Sequence, residues 1–311
     1  MSKKPKPSPF LKDIWRSNSI AYLFLLPSLF MLIIFNAYPI VFSIGIGFTN
    51  MTLANIEGGY RFVGFENYAK LLAAYGPDIQ RVLYKTVLWT VVNVSLQVLA
   101  GLAFASLYNS KDLLGKRLHL AIIILPWAMP GFTSTLIWFG MFQTQFGAVN
   151  QILHSIGLPA QFSPNWLNDE WLAFGVYNIV NTWLAYPFMM TVILGGLQGI
   201  SPELYEAATI DGARSWSKFR NITLPLIRRP LLLATLLTTN TTFQQFNVPF
   251  VLNNGGPAGV NDLIMVWGYK RIFTDNFYGL ASAFLGIVSI MVLLIGFAGL
   301  RVSRIAEEVK Y

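Results

Sequence analysis

The stretch Glu206-Ala207-Ala208-Thr209-Ile210-Asp211-Gly212, followed after nine further residues by Ile222-Thr223-Leu224-Pro225, is a polar segment between two long apolar runs. The small side chains of Ala207 and Ala208 allow another surface to approach closely. The carboxylate of Glu206 can accept charge-assisted hydrogen bonds from a basic partner, and the glycine allows the backbone to reverse direction. The segment therefore indicates a docking surface.

The rest of the chain has the composition of a membrane protein. Its 311 residues are 54% hydrophobic and 12% charged, and the mean hydropathy is +0.53, whereas soluble domains carry about 25% charged residues. A helix needs roughly 20 mainly apolar residues to cross the hydrocarbon core. Six runs meet this condition, at 20–48, 86–107, 120–142, 171–197, 231–252 and 277–300. The predicted fold class is all-α and transmembrane, with six helices.

The basic residues predict the orientation of these spans. Lys and Arg accumulate in cytoplasmic loops, and 16 of the 22 fall on one side, in segments 1–19, 108–119, 198–230 and 301–311. Both termini are therefore expected in the cytoplasm, and the net charge of +8 requires no nucleic acid. The first apolar run is too long for a signal peptide and no cleavage site follows it. The predicted domains are a tail at 1–19, a membrane domain at 20–300 that includes the loop at 198–230, and a tail at 301–311.

Several functions lack their required residues. The chain has no cysteine, so disulfides and thiolate metal sites are excluded. No phosphate-binding G-x-x-x-x-G-K-[ST] motif is present, so ATP hydrolysis is not expected, and the isolated His119 and His154 predict no metal site. All acidic residues fall in loops or at span edges, whereas carriers driven by protons or sodium usually hold a charge within the membrane. No enzymatic activity is expected.

The loop at 198–230 is predicted to contain two short helices. Ser201 is a candidate N-cap with Pro202 at the first helical position, and Gly212 is a natural end for that helix. A second helix, capped by Ser215, is limited by Pro225.

The pattern in this loop resembles the EAA loop of ABC importer permeases. From about 20 to 309 the chain resembles the MalF-type permease subunit of carbohydrate ABC importers, the inner-membrane component of binding-protein-dependent transport systems. Resembling stretches lie at 124–130, 181–187, 194–198 and 254–257. The resemblance implies a type I, MalF/MetI-like six-helix permease in the bacterial cytoplasmic (inner) membrane. It implies that coupling to an ATPase involves Glu206, Ala207, Ala208, Gly212, Ile222, Leu224 and Pro225.

The resemblance also implies a set of partners. These are a second, homologous MalG-type permease, two MalK-type ATPase subunits and an extracytoplasmic sugar-binding protein, all working with a lipid bilayer. ATP and Mg would bind to the ATPase subunits, so no cofactor is expected in this chain. Compared with the maltose prototype, the chain has no additional N-terminal spans and no large inserted outer domain.

A polar segment interrupts the fifth apolar run. Eight of the ten residues at 238–247 are polar, and Thr238, Thr241, Thr242 and Gln245 are predicted to share one helical stripe. Neutral amides and hydroxyls with nearby aromatic rings suit a sugar, although polar contacts between helices would also explain them. The resemblance implies that the substrate is bound by Trp127, Gly131, Asn181, Leu184, Ala185, Phe188, Thr241, Thr242 and Gln245. Of these, Asn181 and Leu184 keep the residue of the maltose prototype, whereas Trp127, Gly131, Thr242 and Gln245 do not. The expected cargo is therefore a maltose-type oligosaccharide, with two alternatives: a different oligosaccharide, or a sugar that is bound less specifically.

Two other functions remain open from the residues alone. The chain could be an independent secondary carrier, in which case it would transport without ATP or partners. It could instead be an assembly subunit, in which case the polar stripe would only hold helices together.

Overall fold

The computed structural model describes residues 23–110, 113–159, 161–273 and 276–308. The predicted N-terminal tail at 1–19 and residues 309–311 of the predicted C-terminal tail lie outside this part of the chain. The described residues are helical apart from turns and loops, with one isolated bridge between Thr49 and Phe62. The helices are α1 Leu23–Ile46, α2 Glu66–Ala74, α3 Gly76–Asn109, α4 Lys116–Ala128, α5 Gly131–Met141, α6 Ala148–Ser155, α7 Glu170–Gln198, α8 Pro202–Ile210, α9 Ser215–Leu226, α10 Arg228–Phe243, α11 Asn247–Asn253, α12 Ile264–Phe273 and α13 Tyr278–Glu308.

Within the described residues, four helices are long and apolar enough to cross a membrane, namely α1, α3, α7 and the part of α13 up to Arg301. The count rises to six if each of two bent helix pairs is taken as one span. The pairs are α4 with α5, bent by 95°, and α9 with the segment Arg228–Asn253, bent by 69°. The predicted run at 120–142 therefore corresponds to two helices joined by a sharp bend.

The sharp bend between α4 and α5 has a local cause. Met129 adopts an extended conformation (φ −83°, ψ 145°) directly before Pro130, because a proline ring disfavours helical geometry in the preceding residue. Pro130 itself occupies the N-cap position of α5. Pro126, in contrast, remains within α4, and Pro187 remains within the continuous helix α7.

Two other boundaries differ from the predicted spans. Helix α3 begins at Gly76, ten residues before the predicted start at 86, with Pro77 at its first turn and Asp78 as an acidic residue there. Both residues favour a helix N-terminus. A further short helix, α6, lies in the segment 143–170.

Helices α3 and α7 pack closely along their length. A Cβ atom at Gly101 of α3 would lie 2.5 Å from Cγ of Met189 on α7, so only glycine allows this separation. Small residues at helix crossings in membranes have the same effect. Trp89, Tyr177 and Val180 belong to one buried cluster between these helices, and a second cluster around Met189 and Ile193 continues it.

The described residues form two compact units. One consists of 23–72 with 276–286, and the other of 73–273 with 287–308. In the first unit, Asn67 Nδ2 donates hydrogen bonds to the carbonyl oxygens of Gly47 (2.9 Å) and Thr49 (2.8 Å), which ties α2 to the end of α1. The second unit contains all the residues of the candidate site described below.

Candidate substrate cavity and coupling loop

Residues of α3, α4, α5, α7 and α10 surround a cavity of about 460 Å³. Ligand pockets in proteins commonly have volumes of roughly 300–1,000 Å³. The lining residues are Gln97, Pro126, Trp127, Met129, Gly131, Asn181, Leu184, Ala185, Phe188, Leu237, Thr238, Thr241, Thr242 and Gln245. All nine residues that the resemblance assigned to substrate therefore line this one cavity. Five other residues line it as well, among them Gln97.

The aromatic part of the wall comes from two different helices. Trp127, near the end of α4, and Phe188 of α7 have ring centroids 6.2 Å apart with planes inclined by 36°. Gly131 stands just beyond the bend, at the first position of α5. Trp127 and Gly131 thus line the same cavity from the two sides of the 95° bend.

Buried amides form the polar part of the wall, and the first of them is Asn93 of α3. Its Oδ1 accepts hydrogen bonds from Asn181 Nδ2 (2.6 Å) and from Gln97 Nε2. Its Nδ2 donates to the backbone oxygen and the side-chain oxygen of Asn178, both at 3.2 Å. Asn93 and Gln97 are fully buried, so bulk water does not satisfy their amide groups.

Gln245 extends this amide chain to the fifth apolar segment. Its Nε2 donates to Asn181 Oδ1 at 2.5 Å, and its Oε1 accepts from the backbone N–H groups of Phe246 (3.0 Å) and Asn247 (3.1 Å). The expected stripe is only partly helical, because α10 ends at Phe243 and Gln245 lies in the break before α11. The side chain of Gln245 satisfies backbone donors at the start of α11.

Asn93 and Gln97 were not among the site residues predicted from the sequence. They lie in the apolar run at 86–107, where two amides four residues apart share a helix face. Polar side chains are costly in such a run unless they face other helices or a cavity. That spacing was the available signal, although it does not identify the partner helix.

None of the described lining residues carries an ionisable side chain. The cavity therefore offers amides, hydroxyls and ring faces but no charge. Such a surface binds neutral groups that form hydrogen bonds, and it leaves a charged ligand without a counter-ion.

Away from the cavity, Lys85 joins three segments of the second unit. Its Nζ lies 2.5 Å from Glu170 Oε1 and 3.3 Å from Asn261 Oδ1, and it sits 4.4 Å from the ring centroid of Trp171. Asn261 in turn donates to the carbonyl oxygen of Gly256 at 3.0 Å. The lysine is buried, so this ion pair fastens the start of α3 and the start of α7 to the loop that follows α11.

The loop at 198–230, which is called the coupling loop here after its predicted role, contains the two predicted helices, α8 and α9. Helix α8 ends in a Schellman motif: Ala213 N donates to Ala208 O (2.8 Å) and Gly212 N donates to Thr209 O (3.0 Å). Gly212 has φ +76°, a conformation in which residues with a Cβ are strained. The expectation that this glycine ends the helix is therefore confirmed.

The two helices are tied by side chains. Tyr205 Oη and Thr223 Oγ1 lie 2.9 Å apart, and Lys218 Nζ donates to Thr209 Oγ1 at 2.7 Å. The expected cap at Ser215 is wrong, since Ser215 is the first residue of α9 and Arg214 precedes it without a side-chain cap. A residue at the first helical position can no longer reach the amides that an N-cap side chain serves.

Two further predictions about the loop can be compared with the structure. Ser201 occupies the predicted N-cap position but makes no capping hydrogen bond. Pro225 does not stop the second helix, because α9 continues to Leu226. It is tolerated there because it lies early in a new helical turn, after a π-helical turn at Phe219–Thr223.

The residues assigned to coupling lie in two stretches of the loop, at 206–212 and at 222–225. Glu206, Ala207, Gly212 and Leu224 are exposed, and Ala208, Ile222 and Pro225 are half-buried. Two large apolar side chains beside them are also exposed, with 88% of Ile210 and 70% of Trp216 accessible. The loop therefore presents an apolar surface with a carboxylate, as a docking surface requires.

The family model described as "Binding-protein-dependent transport system inner membrane component" matches residues 97–306. The chain belongs to this family. Members are membrane components of transport systems, so the chain is a transporter subunit rather than an enzyme, and it resides in the inner membrane as a multi-pass protein.

Two relatives are similar in sequence to this protein over almost its whole length. The galactooligosaccharides transport system permease protein GanP of Bacillus subtilis is 36% identical, over 97% of this chain and 75% of GanP. The trehalose/maltose transport system permease protein MalF of Thermococcus litoralis is 33% identical, over 94% of this chain and 97% of that protein. The predicted resemblance to MalF-type ABC importer permeases is thus confirmed.

A solved structure supports the fold. A bacterial ABC transporter involved in the import of the acidic polysaccharide alginate has a chain that superposes with a TM-score of 0.76, at 22% sequence identity. The match covers 97% of this chain and 100% of that chain. The all-α importer-permease fold predicted from the sequence is confirmed, whereas the orientation of the termini stays a prediction.

Proposed function

We propose that this chain is the MalF-type subunit of an ATP-driven importer of neutral oligosaccharides and forms half of the translocation path. The names of the relatives support the cargo class, since they specify galactooligosaccharides, trehalose and maltose. The finer identity of the sugar differs among these relatives, so it depends on the chemistry of the cavity.

The observation that carries the proposal is the uncharged polar wall of the cavity. Amides such as Asn181 and Gln245 offer both donors and acceptors, which matches the hydroxyl groups of a sugar. The Trp127–Phe188 ring pair offers an apolar face for a pyranose ring. An acidic saccharide would need a cationic partner, and the described lining residues include none.

In this proposal, transport requires several partner proteins. A second, homologous MalG-type permease completes the path, two MalK-type ATPase subunits bind ATP and Mg and receive the coupling loop, and an extracytoplasmic sugar-binding protein delivers the cargo. Closure of the ATPase subunits moves α8 and reorients the cavity. Such alternation requires partners that bind the two states with different affinities.

The test uses the complete complex, purified in mild detergent and reconstituted into liposomes. We expect ATP-dependent uptake of at least one of maltose, trehalose and galactobiose, with stimulation of ATP hydrolysis by the loaded binding protein, and no comparable stimulation by an alginate oligosaccharide. Uptake by this chain alone without ATP would instead indicate a secondary carrier. Failure of all three neutral sugars would contradict the proposed cargo class.

The coupling loop is tested by Glu206→Lys, which reverses a charge at the exposed face of α8. We expect the complex to insert but to lose most of the sugar-stimulated ATP hydrolysis, about tenfold or more, because a charge-assisted contact becomes a repulsion. The measurement is ATP hydrolysis per assembled complex. The matched control is Asp211→Lys, the same charge reversal at the exposed C-cap residue of α8, and equal losses in the two variants would argue against docking through Glu206.

A further inference from the structure

The direction of every hydrogen bond in the buried amide chain is determined by backbone groups at its two ends. The carbonyl oxygen of Asn178 can only accept, so the atom of Asn93 that faces it is the amide nitrogen. The N–H groups of Phe246 and Asn247 can only donate, so the atom of Gln245 that faces them is the oxygen. Amide orientations that are otherwise ambiguous are thereby assigned.

The orientations of the amides in the middle of this hydrogen-bonded series are then determined as well. Asn93 directs its oxygen to Asn181 and Gln97, so each of these residues must contribute its NH₂ group there. Asn181 consequently directs its own oxygen to Gln245. The two cavity amides that the resemblance assigns to substrate, Asn181 and Gln245, therefore have oxygens that are already engaged within the protein.

Gln97 differs from Asn181 and Gln245, because no group of this network donates a hydrogen bond to its side-chain oxygen. Its Nε2 is held by Asn93, and its Oε1 has no hydrogen-bond partner among the described residues although the side chain is fully buried. An unsatisfied buried acceptor carries a desolvation cost that a matching donor would remove. Gln97 is also one of the residues that line the cavity.

We propose that Gln97 is a further substrate-binding residue, whose Oε1 accepts a hydrogen bond from a hydroxyl group of the transported sugar. Asn93 is the positioning residue that holds Gln97 in this orientation. The proposal rests on the proposed function, since it concerns the same cavity and the same class of neutral oligosaccharide. Because Oε1 has less than 1 Å² of exposed surface, a small side-chain adjustment in the wall accompanies binding.

The test compares cargo derivatives in the wild-type complex and in a Gln97→Met complex. The probe is whichever of maltose, trehalose and galactobiose the wild-type complex imports fastest, together with the set of its mono-deoxy derivatives, each lacking one hydroxyl. Uptake rates are measured at saturating loaded binding protein. For each derivative, the ratio of native-sugar to deoxy-sugar uptake in the wild type is divided by the same ratio in the variant, so discrimination by the binding protein cancels.

We expect this quotient to be about ten for one derivative, the size of one hydrogen bond to a buried acceptor, and close to one for the others. A merely structural role of Gln97 would slow all sugars in proportion, and quotients near one throughout would overturn the proposal. Import of none of the three parent sugars would contradict the proposed function instead.

The chain offers a matched control for the substitution. Gln244→Met makes the same change at an exposed residue outside the cavity lining, whose Nε2 donates to Asn240 O at 3.1 Å. We expect Gln244→Met to keep the wild-type ratio for every derivative. A similar change of ratio in this control would also overturn the assignment to Gln97.

Discussion

At the scale of single residues, Gly131 determines how much room the cavity has beside the bend. A Cβ atom at this position would meet nothing within 4 Å, so a larger side chain can be built without a clash and would project into open space. We expect Gly131→Phe to leave assembly intact and to lower uptake of a trisaccharide such as maltotriose about tenfold or more, because a pocket discriminates strongly against ligands that no longer fit.

The measurement is uptake by proteoliposomes, compared for a disaccharide and a trisaccharide. Gly140→Phe on the same helix is the control, since its Cβ position is also unobstructed and Gly140 is not a lining residue. Unchanged maltotriose uptake in Gly131→Phe would show that this part of the wall does not contact the cargo.

The Lys85–Glu170 pair leads to a prediction about stability. Lys85→Met leaves the carboxylate of Glu170 without its cation, and we expect a loss of about 1–3 kcal/mol, the usual size of a hydrogen bond to a charged group. Thermal unfolding of the detergent-solubilised protein measures it. Lys70→Met provides the contrast, because the Lys70–Glu66 pair is more than half exposed on both sides and exposed pairs contribute about 0–1 kcal/mol.

Adding Glu170→Gln to Lys85→Met removes the unpaired charge, so we expect the double variant to regain part of the lost stability. If Lys85→Met and Lys70→Met lower the melting temperature equally, burial of the lysine does not strengthen the pair.

The sequence predicted residues of the cavity better than it predicted their contacts. Trp127, Asn181 and Gln245 were found by resemblance, and they do line one cavity. Asn93 and Gln97 were not found, because an average over an apolar run conceals two amides and no sequence pattern says which distant helix they meet. Contacts such as Asn93 with Asn178 depend on the packing of α3 against α7, which is a property of the tertiary structure.

At the scale of elements, the end of α8 depends on one backbone conformation. Gly212 has φ +76°, where alanine costs about 1–2 kcal/mol and asparagine is tolerated better. We expect binding-protein-stimulated ATP hydrolysis to decrease in the order wild type, Gly212→Asn, Gly212→Ala, Gly212→Val, as the path between α8 and α9 is distorted. Equal activity of the valine variant and the wild type would exclude a role for this turn.

The two bent pairs show what hydrophobicity does and does not predict. The apolar runs at 120–142 and 231–252 have the length and composition that a membrane span requires. They do not predict the direction of the backbone: Pro130 explains a break after Met129, but neither hydrophobicity nor the proline specifies the angle of 95° between α4 and α5. The bounds of α8 were predicted more accurately, because they are specified locally by Pro202 and Gly212, whereas the predicted cap of α9 at Ser215 was wrong.

At the scale of the whole molecule, the distribution of basic residues predicts which surfaces face the cytoplasm. The natural chain has no cysteine, so single cysteines at two exposed serines report on topology. We expect Ser155→Cys in α6 to react with a membrane-impermeant maleimide in intact cells, and Ser215→Cys in α9 to react only after permeabilisation. The opposite pattern would place the coupling loop on the outer side and remove the basis for ATPase docking.

The cavity lining has two parts, the residues beside the bend at Met129–Pro130 and a group of hydrogen-bonded amides. Trp127 and Gly131 flank the bend and take no part in the amide chain, whereas Asn93, Gln97, Asn181 and Gln245 hold one another in place. A change beside the bend can thus reshape the wall without disturbing the polar side chains opposite. Directed evolution toward a new sugar should accumulate its beneficial substitutions at these two positions, while the interlocked amides stay as they are.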